Sequence, residues 1–383
     1  MLLTVILSAT GILRAQTPAL NAGSDAASSV RIDLPADSPV TLISTSMGQS
    51  RVSARGGMLV LDLHMSLTLR NSGSRRVRGV MLLITAQEFT PGGKGSVARP
   101  CIDVPAGQNF SLPVDIRLVR PVQQAQGPLV HVQLDGVIFD DLSFYGPNRL
   151  NSQRSMTMWE VEAQRDRTYY KQVLQAKGED GLRKEMLSGL AKEGDRPQLD
   201  VALSRNGRAV GSAASADAGT AGDHLRFAFL RMPDAPVLPV QGQAEVIGNE
   251  ARSPWIEVEN RSKKSVRYVE IGWVVKDKEG NEYLVGSVPG SGVTAIPAGL
   301  RGRLEPDTTL KFSRAGRPIG IESMTGFVTQ VEFADGKVWV PTRQDLDSSP
   351  LLRTMSPSAE EQRLLDIYAK QGLAALVSEL AKY

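Results

Sequence analysis

One segment of the chain occurs twice, and it constrains the fold more than any other feature. An apolar–polar strand runs into Asn71, a polar turn with adjacent Arg75 and Arg76 follows, and Val77-Arg78-Gly79-Val80 opens the next strand. The second copy runs into Asn260, turns through Lys263 and Lys264, and continues as Val266-Arg267-Tyr268-Val269. The same 189-residue offset separates Asn71 from Asn260 and Val80 from Val269. Self-similarity at a fixed period signals one structural unit present in two copies.

Further echoes follow in the same order. Val30-Arg31-Ile32, with Val40 downstream, answers to Leu225-Arg226-Phe227 with Val237. Residues 132–139 answer to 331–339, Gln164-Arg165 to Gln362-Arg363, and residues 187–192 to 377–382. The offsets drift between 189 and 200, as loops of unequal length would cause. Two units result, residues 28–193 and 224–383.

Within each unit the dominant hydrophobic period is two, the mark of half-buried strands. Residues 59–69 alternate, as do 255–259, and residues 80–85 and 269–276 follow the Asn turns. Asp277-Lys278-Glu279-Gly280-Asn281 reads as a hairpin turn. Asp335-Gly336 between residues 327–333 and 338–341 reads as another, Gly supplying the positive φ of a tight primed turn. Short strands with turns at this rhythm predict a sandwich of immunoglobulin or fibronectin type III kind, with Trp273 in its core. Helical spacing without internal proline marks residues 158–176 and 181–192, and Ser356-Pro357-Ser358-Ala359-Glu360-Glu361 is a helix start. Gly372 breaks the helix that follows.

The predicted fold is therefore mainly β with accessory α: two tandem immunoglobulin-like β-sandwiches, each followed by a helical segment. Residues 1–27 form a leader, 28–150 the first sandwich, and 151–196 a helical connector. Residues 197–223 form a flexible linker around a small-residue stretch, 224–347 the second sandwich, and 348–383 the C-terminal helical segment.

The apolar run at residues 2–13, with Ala15 as a cleavage position, has the hydrophobic part of a secretory signal peptide. No Lys or Arg precedes it, and Arg14 lies close to the cut; a buried first strand or a frayed tail is the alternative. Export to the periplasm or medium is the expectation. The run is too short for a transmembrane helix, and no other segment competes.

Composition narrows the chemistry. With 41% hydrophobic and 22% charged residues the chain is not a disordered one. A net charge of +3 without a basic stripe makes no case for nucleic acid. Cys101 is the single cysteine, which excludes an internal disulfide and a multi-cysteine zinc site; it reads as a buried small hydrophobe. His64, His131 and His224 are isolated, no nucleophile elbow or phosphate loop is present, and no cofactor is implied. Asp135, Asp140 and Asp141 form the densest acidic cluster. Oxygen ligands there could hold calcium, and solvated turn carboxylates are the plainer reading.

Two features could carry binding. The basic turns, Arg75, Arg76 and Arg78 in one unit and Lys263, Lys264 and Arg267 in the other, could meet an anionic envelope polymer or lipid surface. The plainer reading is a solvated turn that keeps a sheet edge from aggregating. The sheet edges could themselves accept a partner strand.

The Asn-x-Ser turn at Asn260, the strand Val266-Arg267-Tyr268-Val269-Glu270-Ile271-Gly272-Trp273 and the hairpin Phe333-Ala334-Asp335-Gly336-Lys337-Val338-Trp339 resemble exported bacterial proteins with tandem immunoglobulin-like repeats. The resemblance covers the sandwiches and implies their fold and an extracytoplasmic setting. The expected function is a non-catalytic binding or scaffold protein for a protein partner or an anionic envelope polymer. The alternative is a metal-assisted hydrolase using the acids of residues 135–141.

Overall fold

A computed structural model describes residues 29–86, 94–121, 128–194, 200–205, 223–289, 295–305, 308–349, 352, 355 and 357–383. The leader and the small-residue stretch at 209–222 lie outside these residues. The first unit comprises β1 (Val30–Asp33), β2 (Val40–Ser46), β3 (Arg51–Arg55), β4 (Met58–Asn71), β5 (Val77–Ala86), β6 (Lys94–Arg99), β7 (Asn109–Pro121), β8 (Val130–Phe139) and β9 (Phe144–Tyr145). One sheet runs β1-β8-β5-β6, with β9 added to β8. In the other, β2 and β3 share one side of β4 and β7 takes the opposite side. The alternation read from the sequence sets the inward face. Leu61, Leu63, Leu67 and Leu69 of β4 are fully buried, and they close on Val80, Leu82 and Val137 of the facing sheet.

Helix α1 (Ser152–Gly194) follows, and it is two helices joined at Gly178, whose φ of 67° and ψ of −169° are not helical. It begins six residues before the sequence-predicted start, because its N-terminus is set by a buried carboxylate described below rather than by apolar periodicity. Next comes β10 (Asp200–Arg205), antiparallel to a later strand. This corrects the expectation that residues 197–223 form only a linker: Asp-Val-Ala-Leu-Ser-Arg alternates at period two, and a free sheet edge captures it.

The second unit comprises β11 (Asp223–Arg226), β12 (Ala228–Phe229), β13 (Val237–Ile247), β14 (Glu250–Asn260), β15 (Val266–Asp277), β16 (Glu282–Pro289), β17 (Arg301–Leu304), β18 (Thr308–Arg314), β19 (Arg317–Pro318), β20 (Ile321–Phe333) and β21 (Val338–Trp339). One sheet runs β12-β20-β15-β16 with β21 on β20, the order of the first unit strand for strand. Both units also share a rarer detail: an early strand, β1 in one and β12 in the other, pairs in parallel with β8 and β20 respectively. The facing sheet runs β10-β18-β14-β13-β11. Trp273 is 2% exposed and meets Phe227 edge-on at 4.6 Å, as core packing requires.

Among the described residues three further helices follow: α2 (Arg343–Asp347), α3 (Ala359–Gln371) and α4 (Leu373–Leu380). Ser358 caps α3 through Glu361 N. Gly372 joins α3 to α4 at φ 83° and ψ −179°, close to the conformation of Gly178 in α1. Only glycine adopts such a φ without strain. Each sandwich thus carries a helix–glycine–helix tail, and the tails pack on each other. Leu182 and Met186 beyond one glycine, Leu376 and Leu380 beyond the other, all lie in one buried cluster with Tyr170 and Leu364.

Candidate functional site

The duplicated asparagines are structural. Asn71 is fully buried; its Nδ2 donates to Arg75 O at 2.8 Å and Val104 O at 2.9 Å, and its Oδ1 accepts from Gly73 N at 3.1 Å. Asn260 repeats the set: Nδ2 donates to Lys264 O at 2.8 Å and Ile296 O at 2.9 Å, and Oδ1 accepts from Ser262 N at 3.0 Å. The Val104 and Ile296 carbonyls belong to a second repeat, Val104-Pro105-Ala106-Gly107 and Ile296-Pro297-Ala298-Gly299, legible in the sequence and missed in reading it. In both units the glycine N–H returns a bond to the asparagine carbonyl.

The basic turns that flank them are neutralised to different degrees. Arg76 and Arg78 both reach Asp103 at 2.6 Å, and Arg75 lies 3.9 Å over the Phe139 ring and bonds Ser143. Asp141 lies 3.6 Å from Arg75, and its carboxyl is held below the usual range by the Ser143 hydrogen bonds and then by Arg75. Arg78 is 8% exposed and belongs to an interior ion network rather than to a surface. In the second unit Lys263 is exposed, Lys264 pairs with Asp335 at 2.6 Å, and Arg267 lies 3.7 Å from Glu332.

That ion network joins the first sandwich to both tails. Arg78 approaches Glu160 of α1 at 3.8 Å, Arg167 bonds Glu160 at 2.5 Å and lies 3.5 Å from Glu360 of α3. Arg363 holds Glu360 at 2.7 Å and Glu379 of α4 at 2.6 Å, and Tyr383 spreads its ring under Arg78 and Arg167. Burial pushes the Glu160 carboxyl up, against the pull of Arg167 and Arg78. On the other side of α1, Arg154 pairs with Glu332 of the second sandwich. Buried pairs of this kind are weak sources of net stability but costly to break.

The aspartates of residues 135–141 do separate jobs. Asp135 is fully buried and accepts from Arg149 N at 2.8 Å, Leu150 N at 3.2 Å and Ser152 Oγ at 2.6 Å, which sets the start of α1. Its oxygens are occupied by protein donors, and Asp140 and Asp141 are exposed. Among the described residues no group of three or more His, Cys, Asp or Glu is arranged to hold a metal ion. His64 pairs with Asp115 at 2.7 Å and His131 with Asp33 at 2.6 Å, as sheet residues. Cys101 is buried, and burial pushes its thiol up.

A cleft of about 760 Å³ lies elsewhere, between α1, the β15-β16-β20 face of the second sandwich, α2 and α3. From α1 it receives Trp159, Glu162, Arg165 and Tyr169; from the sheet, Glu270, Phe327 and Thr329; from the tail, Arg343 and Glu361. Both arginines are committed. Arg165 bonds both oxygens of Asp166, at 2.8 and 3.1 Å, and the Pro341 carbonyl at 2.9 Å. Arg343 grips Glu361 at 2.7 and 2.8 Å. Burial opposes ionisation of Glu361, and the Arg343 hydrogen bonds overcome it, holding the carboxyl low. Glu162 has no such partner: burial pushes its carboxyl up to about 7, with Asp166 and Glu270 adding to the shift and Arg165 opposing it. A large cleft with a perturbed carboxyl is where function is sought first.

No known protein family and no curated protein matches the chain. Among solved structures, red sea bream transglutaminase aligns over 76% of this chain and 31% of its own length, at 8% identity and a TM-score of 0.14. A β-glucosidase from Kluyveromyces marxianus aligns over 70% and 45%, at 7% identity and 0.15, and a protein titled pT26-6p over 86% and 72%, at 8% and 0.15. The chain thus spans less than half of either enzyme. Scores this low carry no argument about function.

Proposed function

We propose that the protein is a non-catalytic, extracytoplasmic binding or scaffold protein, built from a duplicated sandwich-plus-tail unit and recognising its partner in the cleft beside α1. The observation that carries the reading is the cleft itself, walled by helix on one side and by the outer face of a sandwich on the other. Ion pairs from α1 to Glu332 and, through Glu160, to Arg78 favour a platform in which the walls keep their spacing. The matching sheet orders, the twin asparagine staples and the two glycine-broken tails support duplication. The apolar run at residues 2–13 supports export. Of the sequence-proposed contacts, Arg75, Lys263, Lys264 and Arg267 are exposed, and the three of the second unit make a second surface for an anionic polymer.

The test is affinity capture from the host's envelope fraction with three baits: the wild type, Thr329→Trp to fill the cleft, and Lys263→Ser/Lys264→Ser. A partner lost only with Thr329→Trp supports the reading. One lost only with the lysine variant moves recognition to the turn. Steady release of low-molecular-weight product from envelope polymer, with turnover, would overturn the non-catalytic assignment in favour of a hydrolase.

A further inference from the structure

The two sandwiches differ at one place where their registers can be compared. In the first, Gly79 pairs with Ile138 and Met81 with Gly136; in the second, the equivalent pairs are Tyr268 with Glu332 and Glu270 with Gln330. The first sandwich closes this outer face with a dry seam, in which Met81 and Ile138 pack under Met156 and Trp159 of α1. In the second sandwich both apolar positions carry carboxylates. Glu332 is neutralised by Arg154 and Arg267, but Glu270 is in no ion pair among the described residues and receives one hydrogen bond, from Tyr268 Oη at 3.1 Å. Across the cleft stands Glu162, equally without an ion pair, on a face of α1 that also presents Trp159 and Tyr169. A fold that can seal this face with methionine and isoleucine leaves two carboxylates without an ion pair beside aromatic rings. Carboxylates and π faces both attract a cation, and they do so more strongly out of water.

Resting on the reading of the cleft as the recognition site, we infer that its ligand carries a protonated amine on an alkyl chain, with the ammonium held between Glu162 and Glu270 and the methylenes along Trp159. A free polyamine and the side chain of a lysyl peptide share this chemistry. An anionic ligand is disfavoured, because the two cleft arginines already hold Asp166 and Glu361. The charged and titratable groups facing Glu162 are Arg165, Asp166, Tyr169 and Glu185 of α1, Glu270 of β15, Arg343 and Asp347 of α2, and Glu361 of α3. Binding an ammonium selects the ionised form of Glu162, so affinity rises with pH through neutrality while the amine stays charged.

The test is calorimetric titration of the full chain with 1,5-diaminopentane, with an acetylated and amidated tetralysine peptide, and with 1,5-pentanediol as an uncharged control. The expected result is one site for an amine, tightening about tenfold from pH 6 to pH 8 as a group titrating near 7 ionises. Glu162→Gln should abolish that pH dependence, and Glu270→Gln should weaken binding about tenfold or more, each with an unchanged near-ultraviolet circular dichroism spectrum. Tighter binding of the diamine assigns a free amine, and tighter binding of the peptide assigns a lysyl side chain. No heat with either, equal binding of the diol, or a pH dependence that survives Glu162→Gln would overturn the inference. If a captured partner is nonetheless lost with Thr329→Trp, the cleft remains the recognition site and only the ligand class falls.

Discussion

At the scale of single residues, the duplicated asparagines and Glu162 show opposite uses of burial. Asn71 and Asn260 are buried with their amides fully bonded: each donates to at least two carbonyls and accepts from a backbone N–H, tying its turn to the Val104 or Ile296 carbonyl, which also accepts from Val77 N or Val266 N. Asn71→Ala or Asn260→Ala should each cost about 3 kcal/mol, since at least three hydrogen bonds worth about 1 kcal/mol each are lost. Urea unfolding measures it, and a loss under about 1 kcal/mol would contradict the role assigned here. Glu162 is the reverse case. Its folded carboxyl titrates near 7 against an ordinary value of 4.5, so the unfolded chain binds fewer protons between these limits and stability falls as pH rises across them. Glu162→Gln should remove that fall, narrowing the stability difference between pH 5 and pH 8 by up to about 3 kcal/mol. The asparagines were legible because a repeat exposes them. Glu162 was not: on a helix a carboxylate is unremarkable until a facing sheet takes its water away.

At the scale of elements, the strands were readable and the helix starts less so. Residues 59–69 alternate at period two and became β4, and Gly372, expected as a break, joins α3 to α4. The start of α1 was hidden because Asp135 of β8 sets it from 17 positions upstream of Ser152. Asp135→Ala should therefore cost about 3 kcal/mol, by leaving two backbone N–H groups and a hydroxyl without their buried acceptor. The wild-type melting temperature should be the same with millimolar calcium as with a chelator; a calcium-dependent rise would restore the metal reading of residues 135–141. The linker expectation failed at β10 for a related reason. A short alternating segment is too weak a signal alone, and becomes a strand when a neighbouring edge offers hydrogen bonds.

At the scale of the whole molecule, the two sandwiches differ in what covers their outer faces. In the first, α1 seals the sheet with Met156 and Trp159; in the second, the same helix stands off and leaves the cleft. The tails hold this arrangement through Arg78, Glu160, Arg167, Glu360 and Arg363. Arg363→Ala leaves Glu360 with Arg167 at 3.5 Å and Glu379 with Lys382, and the loss of its charged hydrogen bonds should cost about 2–3 kcal/mol. Calorimetry should show a lower-temperature transition as the tail detaches; an unchanged single transition would mean that the network does not hold the units together. None of this juxtaposition was readable from the chain, because the ion pairs span as many as 193 residues and charge alone does not name its partner. The decisive measurement is equilibrium binding of the purified chain to isolated envelope fraction, wild type against Thr329→Trp. Recognition in the cleft predicts that binding is lost in the variant while its melting temperature holds. Undiminished binding by Thr329→Trp would contradict it.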